Sequence, residues 1–129
     1  MTTPTRKPGG ASRFAYDGLD RVIHERARLS LLSCLATHSN GLAFGELKVL
    51  CALTDGNLNR HLLVLEAAQL VRIAKTLDGS RTQTRCRISE VGRRRYLEYL
   101  AVLEQVIVDG AAAVRNDCLR RRGREPAPA

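Results

Sequence analysis

The sequence predicts a mainly α-helical fold with one small β-hairpin, in the α+β class. Over most of residues 14–107 the apolar residues recur at three- and four-residue spacing, which is typical of amphipathic helices. Two stretches, LVRIAKT at 70–76 and TQTRCRI at 82–88, instead alternate apolar and basic residues around an Asp-Gly turn. With 129 residues, the chain has room for one domain with a modest core.

The first two helices follow from this spacing. A long apolar stripe predicts a helix from Phe14 to about Thr37, which Ser39-Asn40-Gly41 stops. A shorter helix from Phe44 to about Cys51 should bury Leu47 and Leu50. The stripe of the first helix consists of Leu19, Val22, Ile23, Leu29, Leu31, Leu32 and Leu35.

The third helix lies in the stretch LTDGNLNRHLLVLEAAQL, residues 53–70. Thr54 can accept an amide hydrogen as N-cap, and Asp55 places negative charge at the positive end of the helix dipole. Leu58, Leu62 and Leu65 fall at i, i+4 and i+7 and form the buried stripe. The polar residues between them must therefore face away from the core.

A short helix, a tight turn and a second helix with polar residues at its start form a helix-turn-helix, whose second helix lies in the DNA major groove. Asparagine can pair with adenine and arginine with guanine, each through two hydrogen bonds. The alternative is that these residues are only solvated. The predicted DNA contacts of this helix are Thr54, Asp55, Gly56, Asn57, Asn59, Arg60 and Leu63.

The hairpin that follows is strongly basic. Its inward face should carry Val71, Ile73, Cys86 and Ile88, and its solvent face Arg72, Lys75, Arg85 and Arg87. A basic hairpin directly after a recognition helix is a wing, placed to contact phosphates or the minor groove. The predicted wing contacts are Arg72, Lys75, Gly79, Ser80, Arg81, Arg85 and Arg87.

Charge supports a polyanion as partner. The chain carries +8, and the block from Arg60 to Arg95 holds nine basic residues against three acidic ones. Basic groups that neutralise phosphates release counterions, which favours binding. The alternative is a basic surface that only keeps the protein soluble.

The apolar stripe of the last helix predicts a dimer. Ser89 can cap it, and its apolar stripe is wider than a small wing and three helices need to cover it. Residues 96–118 carry −3, which suits a two-fold dimer interface better than DNA. The alternative is a stripe that folds back onto its own core. The predicted interface residues are Tyr96, Tyr99, Leu100, Leu103, Val106 and Ile107.

The stretch from Leu19 to Ile107 resembles the small winged-helix transcriptional regulators related to the MarR and ArsR groups. The motifs are IHERARLSLLSCL, FGELKVLCALTDGNLNRHLLVLEAAQLV and RCRISEVGRRRYLEYL. The resemblance implies homodimers, built by the N- and C-terminal helices, that bind an inverted repeat near a promoter. It assigns base reading to Asp55, Gly56, Asn57, Asn59 and Arg60, and a wing contact to Arg81.

The chain departs from the family pattern at two single residues and at the start of the last helix. Family members often carry glycine where this chain has Ala52 and Gln69, after helix ends that tend to need a left-handed backbone. The last helix usually opens with Thr-Pro-Glu-Gly, whereas here it opens with Ser89-Glu90-Val91-Gly92. Because serine can still cap, only the entry angle of that helix is affected.

The predicted organisation has three parts. Residues 1–13 form a flexible basic arm, and residues 14–107 form the winged-helix domain including the dimerisation helix. Residues 108–129 add a short helix and a disordered basic Pro/Ala tail. No apolar run reaches the roughly 18 residues that span a bilayer, and the N-terminus lacks a secretion signal, so we expect a cytoplasmic protein without membrane contact.

No motif indicates an enzyme, a cofactor or a metal site. The stretch HERAR resembles the zinc helix H-E-x-x-H, but Arg28 occupies the second ligand position. His61 is expected to pack or to contact phosphate, and Cys34, Cys51 and Cys86 to fill the core. The sequence leaves open whether a small-molecule effector binds the protein.

Two functions remain. The first is a sequence-specific regulator of double-stranded DNA, acting as a homodimeric repressor. The second is a winged-helix module that binds another protein without specific DNA binding. The charge block separates them, because a protein-binding wing has no general use for it. RNA is weaker, since five aromatic residues provide few stacking platforms.

Overall fold

The structure, a computed structural model, describes residues 12–124 and confirms the predicted fold class. The elements within this range are α1 (Arg26–Ala36), β1 (Leu42–Ala43), α2 (Phe44–Leu50), α3 (Asp55–Ala67), β2 (Val71–Asp78), β3 (Arg81–Ile88) and α4 (Glu90–Arg124). The three strands form one antiparallel sheet in the order β1-β3-β2, with the helices packed against one face. The short strand β1, which the sequence patterns did not predict, pairs with β3.

The core lies between the helices and the inner face of the sheet. Leucines at helical spacing on α1 and α3 meet Val71, Cys86 and Ile88. Leu47 of α2 is fully buried as expected, but Leu50 is 58% exposed. The prediction for Leu50 was wrong because α2 ends at this residue. The helical members of the core are Leu31, Leu32, Leu35, Leu58, Leu62 and Leu65.

The first helix starts later than the sequence predicts. Residues 12–25 form turns, and α1 begins at Arg26 after Glu25, whose side chain caps the helix through the amide of Arg28. Tyr16 has φ +49°, and the Asp20 carboxylate accepts a hydrogen bond from the amide of Val22. Side chains that bond to nearby amides favour turns over helix. Leu19 and Val22 of this segment still pack against the core and Ile23 is fully buried, whereas Phe14 is 60% exposed.

We call the contact between residues 12–25 and α4 the junction. The Tyr16 hydroxyl donates to Asp109 at 2.6 Å, and this bond raises the pKa of Tyr16 and lowers that of Asp109. Arg95 donates to the Asp20 carboxylate. Burial by itself would raise the pKa of Asp20, but hydrogen bonds from Arg95 and Val22 hold it below its usual value. At the junction, therefore, Asp20 and Arg95 neutralise each other, and a hydrogen bond holds the Asp109 carboxylate.

The hairpin register follows the alternation of its residues. Asp78 faces Arg81, so that Gly79 and Ser80 make the two-residue turn, and Gly79 adopts φ +65°, which glycine tolerates without strain. Arg72 and Lys75 lie three residues apart and thus on opposite faces, which corrects the prediction that they share one. Lys75 is nevertheless exposed, because the hairpin extends beyond the core.

Helix α4 differs from the predicted end of the domain. It runs without interruption to Arg124, whereas the predicted domain and its dimerisation helix end at Ile107, with a short helix beyond. The run Ala111-Ala112-Ala113 follows Gly110. Because alanine has the highest helix propensity, this run offsets the low helix propensity of the glycine. Most of the predicted arm at 1–13 and the last residues of the tail lie outside the range described.

The two non-glycine positions after helix ends are left-handed, as the family pattern predicts. Ala52 has φ +53° and Gln69 has φ +65°. Ser89 accepts a hydrogen bond from the amide of Gly92 and donates to the carbonyl of Gln69, so the predicted cap is present. Within the described range, no helix is long and apolar enough to cross a membrane.

Candidate nucleic-acid interface

The start of α3 is held in place from two sides. The Thr54 hydroxyl accepts a hydrogen bond from the Asn57 amide at 3.3 Å, which confirms the predicted N-cap. Lys48 of α2 forms a 2.9 Å ion pair with Asp55. This contact ties the two helices of the helix-turn-helix together. Lys48 was missed in the sequence because nothing in its spacing indicates a pairing seven residues on.

The outward face of α3 presents polar groups to solvent. Asn57, Asn59 and Arg60 are exposed, and the Arg60 guanidinium donates to the Asn57 side chain at 3.4 Å. This bond holds the two donor groups together at the start of the helix. Asn59 lies two residues from Asn57, so the two side chains point in different directions. Asn57 and Arg60 therefore form one candidate reading pair, with Asn59 at its flank.

Two further residues of α3, Leu63 and His61, differ clearly in their exposure to solvent. Leu63 is 52% exposed and extends the outward face, where an apolar side chain can contact a thymine methyl group. His61 is only 8% exposed, and Arg28 of α1 donates to its Nδ1 at 3.3 Å. The same ring nitrogen lies 3.8 Å from the Glu25 carboxylate, so His61 is enclosed by side chains of its own chain. Of the two predicted roles for His61, the structure therefore favours packing.

The hairpin concentrates positive charge without balancing it. Arg72 and Arg87 lie directly opposite each other on the face turned away from the core, and both are exposed. Like charges in this position destabilise a sheet. Among the described side chains, no carboxylate pairs with Arg60, Arg72 or Arg87 within 4.0 Å. This surface can therefore neutralise phosphate.

Two arginines of the charge block serve the fold instead. Arg85, predicted to face solvent, is half-buried and donates to the carbonyls of Asn40 and Gly41. These bonds exist because β1 pairs with β3 beside it, and the sequence did not predict β1. Arg95 belongs to the junction. Arg81 is exposed directly after the turn, next to Leu77, which is 78% exposed.

The predicted dimer stripe on α4 divides into two groups. Tyr99 is only 1% exposed, and its hydroxyl shares a 2.7 Å hydrogen bond with His24, so its assignment to a subunit interface was wrong. The Tyr96 hydroxyl bonds to Ser33 of α1 at 2.6 Å. Tyr96, Leu100 and Leu103 pack partly against the same core. Val106 is half-buried, and Ile107 is 60% exposed and available to a partner.

Comparison with known proteins identifies a family whose sequence profile matches this chain. The sequence profile described as winged helix DNA-binding domain matches residues 27–107, which include α1, the helix-turn-helix, the wing and the packed part of α4. Among curated protein sequences, none matches the chain.

Many solved structures match the chain, and the following three illustrate the shared fold. A transcriptional regulator homologue from Pyrococcus horikoshii OT3 is 28% identical with a TM-score of 0.66, over 71% of this chain and 89% of that one. The M. tuberculosis regulator MOSR, solved in complex with DNA, is 21% identical with a TM-score of 0.59, covering 82% and 80%. A MarR family regulator from Silicibacter pomeroyi is 17% identical with a TM-score of 0.52, covering 74% and 70%.

Proposed function

This chain belongs to the winged helix DNA-binding domain family, and on that basis we propose that it is a transcriptional regulator that binds double-stranded DNA as a homodimer. In this proposal α3 enters the major groove of a half-site, and the hairpin contacts the neighbouring phosphates or the minor groove. Two copies related by a two-fold axis read an inverted repeat near a promoter and repress by occupying it.

One observation carries the proposal. The exposed face of α3, with Asn57 hydrogen-bonded to Arg60, lies on the element that directly precedes a hairpin whose Arg72 and Arg87 face each other. Intramolecular packing does not explain this opposition of charge. A phosphate backbone offsets the repulsion, because each neutralised phosphate releases condensed counterions.

The test is selection of bound fragments from the source genome by the purified protein, followed by sequencing. At about 150 mM salt nonspecific attraction is weakened, so that enriched fragments report sequence preference. We expect one inverted repeat with half-site centres about 10 base pairs, or a multiple of that, apart. Binding without enrichment would indicate a nonspecific DNA-coating protein and would overturn the proposal of a sequence-specific regulator.

An alternative is a winged-helix module that binds a protein. It is favoured by exposed apolar residues on α2, where Val49 is 76% and Leu50 is 58% exposed. In that case the protein would not bind the genomic fragments at all, and replacing Val49 and Leu50 by serine would abolish binding to the partner. If Val49 and Leu50 only flank a DNA site, the same change leaves DNA affinity nearly unchanged.

We extend the proposal to a small-molecule effector. A cavity of about 500 Å³ opens at the junction and is lined by Tyr16, Asp20, Arg21 and Arg95, among others. A ligand that binds there would contact Arg95, which also joins the N-terminal segment to α4 through Asp20. Release of DNA by such a ligand should therefore be lost when Arg95 is replaced by alanine.

A further inference from the structure

A cavity lies at the base of the wing, where β3 passes into α4. Its volume is about 230 Å³, several times the roughly 30 Å³ that one water molecule occupies in the liquid. It therefore has room for a small oxyanion with some of its hydration water. The polar residues that line it come from the loop after α1, both strands of the hairpin and the first turn of α4, and they are Ser39, Arg72, Arg87, Ser89, Glu90 and Arg93.

Arg93 contributes a guanidinium group that the fold leaves unpaired. It is half-buried, and among the described side chains no carboxylate lies within 4.0 Å of it. Glu90 lines the same cavity without coming within that distance. Arg95, two residues further along α4, is by contrast paired with Asp20. Since arginine is seldom withdrawn from water without a partner, the position of Arg93 indicates an anion from outside the chain.

Two further guanidinium groups belong to the same cavity. Arg72 of β2 and Arg87 of β3 form a directly opposed pair on the face of the sheet turned away from the core. Together with Arg93 they set three positive charges against the single carboxylate of Glu90. Guanidinium groups present paired donors that match the oxygens of a phosphate. The cavity is therefore suited to an anion, and to a phosphoryl group in particular.

The first turn of α4 is fixed closely against the base of the hairpin. The Ser89 amide donates to the Leu70 carbonyl at 3.0 Å, and the Ser89 hydroxyl donates to the Gln69 carbonyl at 2.7 Å. A Cβ atom at Gly92 would clash with the same Leu70 carbonyl, so only glycine lets α4 approach this closely. Arg93 follows directly. Its backbone is therefore held in place before a ligand arrives, which lowers the entropic cost of binding.

The cavity is distant from the reading end of α3 and from the wing tip. Arg72 lies seven residues before Gly79 at the tip, ~23 Å along an extended strand. On α3, Asn57 lies ten residues, or ~15 Å, before Ala67 at the end of the helix that leads into β2. A small anion can therefore occupy the cavity without touching either of these two regions.

We infer that Arg72, Arg87 and Arg93 bind one phosphoryl group of a small free molecule, and that this molecule competes with DNA. The competition rests on the proposed function, which gives Arg72 and Arg87 to DNA phosphates, whereas the site itself does not. An anion in the site neutralises this pair and removes the counterion release that DNA would gain from it. The protein then releases DNA as the concentration of the molecule rises.

The first test is calorimetric titration of the full-length protein with inorganic phosphate, at an ionic strength held constant with sodium chloride. Arg93→Ala should raise the phosphate dissociation constant about tenfold or more, because it removes a charge-assisted hydrogen bond. Arg94→Ala is the matched control, since it removes the same charge from an exposed residue that does not line the cavity. Its dissociation constant should stay within about twofold of the wild type. Equal weakening by both variants, or no phosphate binding by the wild type, would overturn the site.

Glu90→Gln tests the electrostatic part of the inference. It removes the one carboxylate that lines the cavity, so phosphate should bind about two- to fivefold more tightly. The same titration measures it, and thermal unfolding checks that each variant is folded. Weaker or unchanged phosphate binding by this variant would contradict a site selected by charge.

The second test compares DNA affinity in phosphate and in chloride at equal ionic strength, on the repeat that the genomic selection enriches. With phosphate at ten times its dissociation constant, the wild type and Arg94→Ala should bind DNA up to about tenfold more weakly. Arg93→Ala should respond by at most about twofold, because its own phosphate site is largely empty. If phosphate does not bind, but Arg93→Ala lowers the salt slope of DNA binding by about one, the cavity holds a backbone phosphate and the free ligand is refuted.

Failure of this inference is distinguishable from failure of the proposed function. Selection of one repeat with an affinity that does not respond to phosphate would refute the competition and leave the regulator intact. Phosphate binding that depends on Arg93, in a protein that enriches no genomic fragment, would support the site and refute the regulator.

Discussion

Two regions of the molecule treat their charges in opposite ways. At the junction, Arg95 is paired with Asp20, and Asp109 with Tyr16. On the outward face of α3 and on the wing, Arg60, Arg72 and Arg87 have no ion-pair partner among the described side chains. Charges of the first kind stabilise the fold, whereas charges of the second kind remain available to a partner. Substitutions in the two regions should therefore affect different measurements.

The largest effect is expected at the centre of the junction. Tyr99→Ala should lower the free energy of unfolding by about 3–5 kcal/mol, because it removes a fully buried aromatic ring. Tyr99→Phe keeps the ring and loses only the bond to His24, at a cost of about 1 kcal/mol. Denaturant unfolding measures both. A Tyr99→Ala protein that unfolds like the wild type but sediments as a monomer would return Tyr99 to the subunit interface.

Arg95→Ala should destabilise the fold by about 1–2 kcal/mol, a modest value because the ion pair is partly exposed. Since the folded pKa of Asp20 lies below its unfolded value, the stabilisation is present above about pH 4 and is lost as the pH falls through the folded pKa. The difference between wild type and variant should thus shrink in acid. Asp20→Asn serves as control and should remove the same pH dependence. DNA affinity of the folded fraction should not change.

Arg60→Ala should show the reverse of Arg95→Ala, with weaker DNA binding and nearly unchanged stability of the fold. We expect a loss of about 1–3 kcal/mol on the preferred site, a smaller loss on nonspecific DNA, and unfolding within about 0.5 kcal/mol of the wild type. Arg60→Lys is the matched control, since it keeps the charge but loses the two-pronged donor geometry. Titration of a selected and a scrambled duplex measures the effect. Equal losses on both would assign Arg60 to a phosphate.

Arg81→Ala tests the wing. Binding should weaken on every sequence, and the slope of log affinity against log salt should decrease by about one, because one phosphate contact is lost. Arg81→Lys keeps the charge and should keep the slope. Affinities measured at four or more salt concentrations determine it. A slope unchanged by Arg81→Ala would remove this residue from the interface.

The smallest effect is expected at Gln69, between the two regions. Its φ of +65° is unfavourable for a residue with a side chain, so Gln69→Gly should be neutral or stabilising by up to about 1 kcal/mol. Gln69→Ala, the control, keeps the strained backbone and should show no gain. The melting temperature measures both. A clear decrease for Gln69→Gly would show that the left-handed cap does not limit stability.

Much of the helix-turn-helix could be predicted from local pattern. The Thr54 cap, the buried stripe of α3 and the turn of the hairpin all depend on residues close in sequence. The resemblance to winged-helix regulators is confirmed by the winged helix profile over residues 27–107, and a MarR family regulator shares the fold. The ArsR relation stays a prediction. The first helix was predicted twelve residues too long, since turns such as those at Tyr16 and Asp20 can carry apolar residues to the core as well.

Sequence alone determined which residues are apolar, which are charged and how each short segment folds, because spacing and capping act over one or two turns. Tertiary structure alone decided which arginines are bonded within the fold and which stay available to a partner. Arg85 and Arg60 look alike in sequence, but the pairing of β1 with β3 brings backbone carbonyls to Arg85, whereas Arg60 bonds only to the exposed Asn57 side chain of its own helix. It likewise decided that Tyr99 is buried while Ile107 stays exposed on the same helix, because the core ends between them.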